Sequence, residues 1–463
     1  MKALKYYSIL FCLCAVVTAS LAQKQTPPAG GTPKDFVLPQ KKENQLANGL
    51  KSTLVQYGAI PKVNVNLVIK TGNVHEAADE VWLADLTSQL MKEGTQTMDF
   101  KTISKKVAAM GGEINIGVGP DQTFVSGSVL SEFAPDLIRI MADVVMNPLL
   151  PESEIERLKS DLKRQLSVQK SVPQAQASEK FFGMIYKDHP YGRIYPTEEM
   201  LNSFTIDKVK AFYEKNFGAK RSVVYVVGKF NEQATQKAIE DAFKTWKEGP
   251  EVNYPPAAQV RTNEVAMIDR PNAPQTTVML GLPTLKPNDA DYVALQVANS
   301  LLGGSFGSRI TSNIREDKGY TYSPFSTIQT RKGVAVWYEQ ADVTSEHTGA
   351  SLREISKEIK RLQTEPPSKE ELQGIQNYMA GIFVLQNSTP GGIISQLNFM
   401  DIQGLDDSYL TDRVKNIYAV TPEKVSQITT DHFKYEDMTL VLVGDKKLLE
   451  QQIKAHEEAK KLK

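Results

Sequence analysis

Residues 301–323 read LLGGSFGSRITSNIREDKGYTYS and concentrate the groups in this chain that can do chemistry. Gly303 and Gly304 let backbone amides approach a partner closely, and Ser305 can cap the helix that follows. The spacing predicts that helix over residues 306–317, stopped at Gly319, with Arg315 in its last turn and Tyr322 seven residues further, on the next strand. A guanidinium with fixed donors and a phenol at this spacing can converge on one carbonyl oxygen and steady negative charge that develops there. A helix-end arginine beside a packed tyrosine fits the same spacing.

Other catalytic patterns are missing. The five histidines, His75, His189, His347, His432 and His456, include no i, i+4 pair able to share a metal on one helix face. Both cysteines, Cys12 and Cys14, fall in an amino-terminal segment expected to be removed, which leaves no disulfide, thiol nucleophile or cysteine-ligated zinc. No phosphate-binding Walker loop or dinucleotide fingerprint occurs. Lys and Arg number 54, as do Asp and Glu, so there is neither the basic footprint of a nucleic-acid binder nor an acidic tail.

The elements that must position these groups belong to a chain of 463 residues, 41% hydrophobic, long enough for two large domains. Lys2 and Lys5, an apolar run over about residues 7–17 and the ending Ser20-Leu21-Ala22 mark residues 1–22 as a secretory signal, too short to span a bilayer. No later run is long and apolar enough for a span, so the mature chain is expected to be soluble and periplasmic or secreted. Residues 23–43 are rich in Pro and Gly and read as an extended leader, with order expected from Asn44. Asn48-Gly49 predicts a hairpin turn, residues 63–69 a half-buried strand, and residues 114–118 and 123–130 a hairpin turned at Gly119-Pro120-Asp121. Helical periodicity runs over residues 133–146, 152–170 and 206–216.

The same elements then recur. Pro151-x-x-Glu154 returns as Pro367-x-x-Glu370, Thr205-x-x-Lys208-Val209 as Thr421-x-x-Lys424-Val425, and VVYVVG ending at Gly228 as LVLVG ending at Gly444, all displaced by 216 positions. Gly94-Thr95 and Gly304-Ser305 are displaced by 210. A shared displacement predicts duplication of one α+β unit, an antiparallel sheet flanked by helices. The copies are expected over residues 44–250 and 275–463, joined by a Pro-rich linker over 251–274.

Leu302-Gly303-Gly304-Ser305-Phe306-x-Ser308-Arg309, followed by Arg315-Glu316-x-Lys318-Gly319-x-x-Tyr322-Ser323, resembles the second domain of the M16 peptidases. This is the family of pitrilysin, insulin-degrading enzyme and the mitochondrial processing peptidase. The likeness runs from about residue 46 to 444 and implies two tandem homologous α+β domains. Active members carry an inverted zinc motif, His-x-x-Glu-His, closely followed by Gly-Thr. In the matching stretch before Gly94-Thr95, Asp85 stands at the first His position, Ser88 at the general-base Glu and Gln89 at the second His. The family's third ligand is a Glu on a later helix, where this chain reads LKRQL over residues 162–166 with Asp161 just upstream. A neutral amide is a poor zinc ligand and a serine cannot take a proton from water near neutral pH. Arg164 is expected to bring positive charge to the same neighbourhood. This chain is therefore expected to bind no metal itself.

The resemblance then implies the non-catalytic subunit of a two-chain peptidase whose zinc lies in a partner. By that likeness a peptide adds to a sheet edge in a shared chamber, Arg315 and Tyr322 contact a substrate carbonyl in trans, and Gly303, Gly304 and Ser305 help hold the peptide. Asn115 matches a family asparagine on the substrate strand but has no zinc site beside it. A non-enzymatic scaffold or peptide-binding protein of the same fold is the alternative, and an autonomous metalloprotease with unconventional ligands a third.

Overall fold

Gly49, at φ +91°, turns the chain between strand β1 (Lys41–Gln45) and strand β2 (Lys51–Gln56), as the Asn-Gly pair predicts. The computed structural model describes residues 36–460; the expected signal and most of the leader lie outside the described residues. Strands β3 (Lys62–Ile69), β4 (Glu113–Val118), β5 (Thr123–Leu130) and β6 (Ser222–Gly228) complete a six-stranded sheet in the order β1-β2-β6-β3-β5-β4. The second sheet holds β7 (Val265–Asp269), β8 (Gln275–Thr284), β9 (Phe325–Arg331), β10 (Val334–Thr344) and β11 (Thr439–Gly444), in the order β7-β11-β8-β10-β9.

The repeat is visible in matching parts. β6 and β11 are continuous apolar runs buried along their whole length, and each is an inner strand, parallel to one neighbour and antiparallel to the other. Thr205 Oγ1 accepts from Lys208 N at 3.3 Å and Thr421 Oγ1 from Lys424 N at 3.2 Å, so the same residue type caps the same helix in both copies. The sheets are mixed rather than purely antiparallel. β6 returns beside β2 after a whole layer of helices, and so long a connection permits a parallel entry that a hairpin does not.

Each sheet packs its own helices on one face. In the first, Val63, Val65, Leu67, Val224 and Val226 meet the helices Leu83–Lys92 and Ala134–Met146. The opposite face is covered by the other half. The helix Pro390–Gln403 lays Ile393, Ile394, Leu397 and Met400 on Val68, Val223, Tyr225 and Val227 of the first sheet. Reciprocally, the helix Pro173–Tyr186 lays Ala177, Phe181, Phe182 and Ile185 on Met279, Val336, Val441 and Val443 of the second. Lys70 Nζ, 2.8 Å from Asp401 Oδ2, and the Tyr225 hydroxyl, 3.1 Å from the same oxygen, pin the first seam.

Several boundaries differ from the sequence reading. β1 starts at Lys41, ahead of Asn44, because its edge pairing with β2 and the packing of Phe36 on Phe383 order the end of the leader. β7 lies inside the Pro-rich stretch 251–274, where it completes the second sheet beside β11. The helix expected from residue 306 begins near Arg309 and winds more widely over Thr311–Asp317, Lys318 N donating to Asn313 O five residues back. Tyr322 precedes β9 instead of lying on it, because Thr321 bridges to Val343 and its hydroxyl donates to Asp342 O at 2.7 Å.

Candidate functional site

The wide turn carries Arg315 to the end of its helix with the side chain largely covered. Its guanidinium carbon lies 4.4 Å over the Phe306 ring and 5.0 Å over the Tyr322 ring. Both rings face solvent, Phe306 at 70% exposure and Tyr322 at 79%. Stacking of a cation on aromatic faces fixes the plane of the guanidinium without consuming its N–H donors. Arg315 Nε is 3.5 Å from Glu316 Oε1, a loose contact on the rim. The structure therefore brings Arg315 and Tyr322 together and adds Phe306, which sequence reasoning passed over as an ordinary apolar residue of the Gly-rich run.

Beneath them the glycines are filled by the protein's own atoms. A Cβ on Gly303 would stand 2.6 Å from both Glu339 Oε2 and Ser326 Oγ, and one on Gly304 would stand 2.5 Å from Asn299 Nδ2. Close approach at these two positions is thus already used internally. Ser305 does not cap the following helix. Its hydroxyl is buried without a partner, and the turn opens at Ser308, whose hydroxyl donates to Thr311 Oγ1 at 2.9 Å. Asn299 Oδ1 accepts from Ser326 Oγ and from Trp337 Nε1, each at 2.7 Å. Glu339 sits wholly buried beside this pair, on the same face of β10 as Ala335, Trp337 and Ala341, and neither carboxyl oxygen has a partner. Burial, with no charged partner beside it, pushes its pKa well above the ordinary carboxylate range. A charged residue at an inward position of an alternating strand is the signal that could have found it.

The motif positions in the first half are occupied by structure. The helix Leu83–Lys92 starts from Trp82 in a left-handed conformation, φ +74°. Glu76 supports that start, its oxygens accepting from Ala84 N at 2.8 Å and Trp82 N at 3.1 Å. Asn73 Nδ2 joins Glu76 Oε1 at 3.1 Å to Asp85 Oδ2 at 2.7 Å. Burial, then the nearby Asp85 charge, pushes Glu76 up to about 8; burial pushes Asp85 up to about 6 against the Asn73 bond. Ser88 Oγ donates to Asp85 O at 2.9 Å within its own helix.

These donors do not suit zinc. Asp85 is committed to Asn73, Ser88 to backbone, and Gln89 offers only an amide. Across the packed helix Ile155–Ser171, the nearest carboxylate candidate, Asp161, is engaged by Arg164 at 2.9 Å and Arg157 at 3.5 Å. Arg164 itself is exposed and turned to Asp161, so the charge expected near the motif is neutralised in solvent instead. The histidines hold structure elsewhere. His75 and His189 bond to carbonyl oxygens of Asn253 and Pro255 in the connecting segment, and His456 Nδ1 is 2.9 Å from the Tyr435 hydroxyl. Asn115 is exposed on β4, an edge strand paired on one side only.

Two interlocked copies of one sheet-and-helix unit, with a stacked Arg-Tyr pair in the second, define a duplicated peptidase-type fold. The chain belongs to the M16 peptidase family. The family model described as insulinase (peptidase family M16) matches residues 54–196, and that described as the peptidase M16 inactive domain matches residues 203–379. The second match begins ahead of β6, which completes the first sheet, so its limit is not a structural boundary. A protein of Rickettsia felis named as an uncharacterized zinc protease is 27% identical over 331 residues, 71% of this chain and 79% of the relative. Two crystal structures share the fold. A peptidase M16 inactive domain from Pseudomonas fluorescens, 23% identical, has a TM-score of 0.81 and covers 88% of this chain and 98% of its own. A protease from Helicobacter pylori, 19% identical, also has a TM-score of 0.81, over 88% and 100%.

Proposed function

We propose that this chain is the non-catalytic subunit of a two-chain M16 peptidase, exported to the periplasm or beyond the cell, that lends Arg315 and Tyr322 to a substrate held against a metal-bearing partner. The observation that carries the reading is the contrast between the halves: the Tyr322 ring of the Arg315–Tyr322 stack faces solvent, while Asp85 is bonded to Asn73 and Ser88 to its own helix backbone. The partner supplies the hydrolytic centre. An extended peptide pairs with an open sheet edge, and its scissile carbonyl accepts from the guanidinium and the phenol, whose donors are positioned before charge develops. Gly303 is packed against Ser326 and Glu339, so within the Gly303-Gly304-Ser305 segment it is the partly exposed backbone of Gly304 and Ser305 that borders that peptide.

The test is reconstitution with an M16 chain that carries an intact His-x-x-Glu-His. Hydrolysis of a fluorogenic peptide by the mixture, with none by this chain alone, is expected. A stable complex without hydrolysis would favour the scaffold reading, and hydrolysis by the isolated chain with stoichiometric zinc would overturn both.

A further inference from the structure

The helix Tyr292–Asn299, its continuation Ser300–Gly304, and the helices Lys369–Gln386 and Pro390–Gln403 enclose an open cleft of about 500 Å³. Tyr378, Met379, Ile382, Phe383 and Phe399 form an apolar patch in a lining that is otherwise polar. Arg413 also lines it, 9% exposed. Its Nη1 is buried without a partner, and among the described residues no carboxylate lies within 4.0 Å of its guanidinium. The guanidinium carbon instead lies 5.6 Å over the Tyr409 ring, itself part of the lining. Gln296 Oε1, in the same wall, is likewise buried and unbonded.

A covered guanidinium without a counter-ion is costly, and an anion entering the cleft would relieve that cost with paired N–H donors. No other charged side chain lines the cleft, which suits a single negative charge better than a phosphate dianion. The apolar patch suits a hydrophobic group next to that charge. Tyr378, Ile382 and Leu385, spaced i, i+4, i+7 on one helix face, are all exposed and extend the apolar surface along the helix. We propose that this cleft binds the C-terminal carboxylate of a peptide whose last residue is apolar, with Arg413 as the anion partner and the Tyr378–Leu385 stripe under the preceding residues. The proposal needs no metal-bearing partner and stands apart from the reading of Arg315 and Tyr322.

The experiment is fluorescence anisotropy of the full chain with a fluorescein-labelled hexapeptide ending in phenylalanine. Saturable binding is expected, weakened about tenfold or more by amidating the terminal carboxylate, the loss that follows from one charge-assisted hydrogen-bonded pair. Arg413→Gln should erase the difference between acid and amide. Ile382→Asp, at an exposed position that tolerates substitution, should weaken both peptides. Amidation leaves the protein unaltered, so the comparison holds even if Arg413→Gln unfolds. Equal binding of acid and amide, absence of saturable binding, or displacement of the peptide by millimolar inorganic phosphate would each overturn the assignment.

Discussion

The Arg315 guanidinium stacks 5.0 Å over the Tyr322 ring, although one residue ends a helix and the other lies seven residues on, ahead of β9. Neither holds the other through a hydrogen bond, so both keep donors for an external oxygen. In the reconstituted pair, Arg315→Ala and Tyr322→Phe should each lower kcat/KM by about 10²–10³, the loss typical of one oxyanion donor, with assembly intact by gel filtration. Phe306→Ala should give a smaller fall through loss of the stacking that orients Arg315. Normal turnover in the first two variants would remove these residues from the chemistry.

Gly303→Ala should destabilise the chain by about 1–3 kcal/mol, because the new methyl must displace Ser326 and Glu339. Gly307→Ala, where no atom lies within 4 Å of the added Cβ, is the control. Urea denaturation of the two variants checks the contrast, and equal midpoints would contradict the packing described for the Gly-rich run.

Glu339 makes stability depend on pH with a definite sign. Its folded pKa is raised above the ordinary 4.5, so the native state holds a proton that the unfolded chain releases. Its contribution is full below that value and declines as pH rises above it. Glu339→Gln cannot titrate, so the variant should gain stability relative to the parent as pH is raised from about 4.5 to 8. Thermal melts at both ends of that range measure the difference, and a constant offset would refute the claim.

Asp85→His, Ser88→Glu and Gln89→His together should still leave the chain without stoichiometric zinc by metal analysis. The change to His also breaks the Asn73–Asp85 bond, and Asp161 remains engaged by Arg157 and Arg164. Tight zinc binding by the triple variant would mean that a usable carboxylate lies within reach.

Phe181→Ala should cost about 3–5 kcal/mol and Leu397→Ala about 2–5 kcal/mol, although each removes atoms at a seam between halves. Since each helix covers the opposite sheet, both variants should lower the midpoint of one cooperative calorimetric transition. Two separable transitions, with only one moved by each substitution, would show that the halves unfold independently.

The duplication was legible because its markers obey local rules: a threonine cap and a buried apolar run keep their spacing whatever surrounds them. The hairpin from β4 to β5 was legible for the same reason. The exchange of helices between halves was not, since an amphipathic segment such as Pro390–Gln403 does not reveal which sheet it will cover. The Arg315 and Tyr322 pair could be singled out from spacing and likeness, but Phe306 joins them only because the loop folds back after the Gly-rich segment. Glu339 and Arg413 are single polar residues whose surroundings come from distant parts of the chain, and Glu76 is bonded to near neighbours that no sequence pattern groups together.

The first sheet shows one face to the helix that carries Asp85, Ser88 and Gln89 and the other to the borrowed helix of the second half. The helix of Asp85, Ser88 and Gln89 and the joint between the halves therefore occupy opposite sides of one wall. The two layers share the same strands, so neither can shift without the other feeling it through the backbone between them.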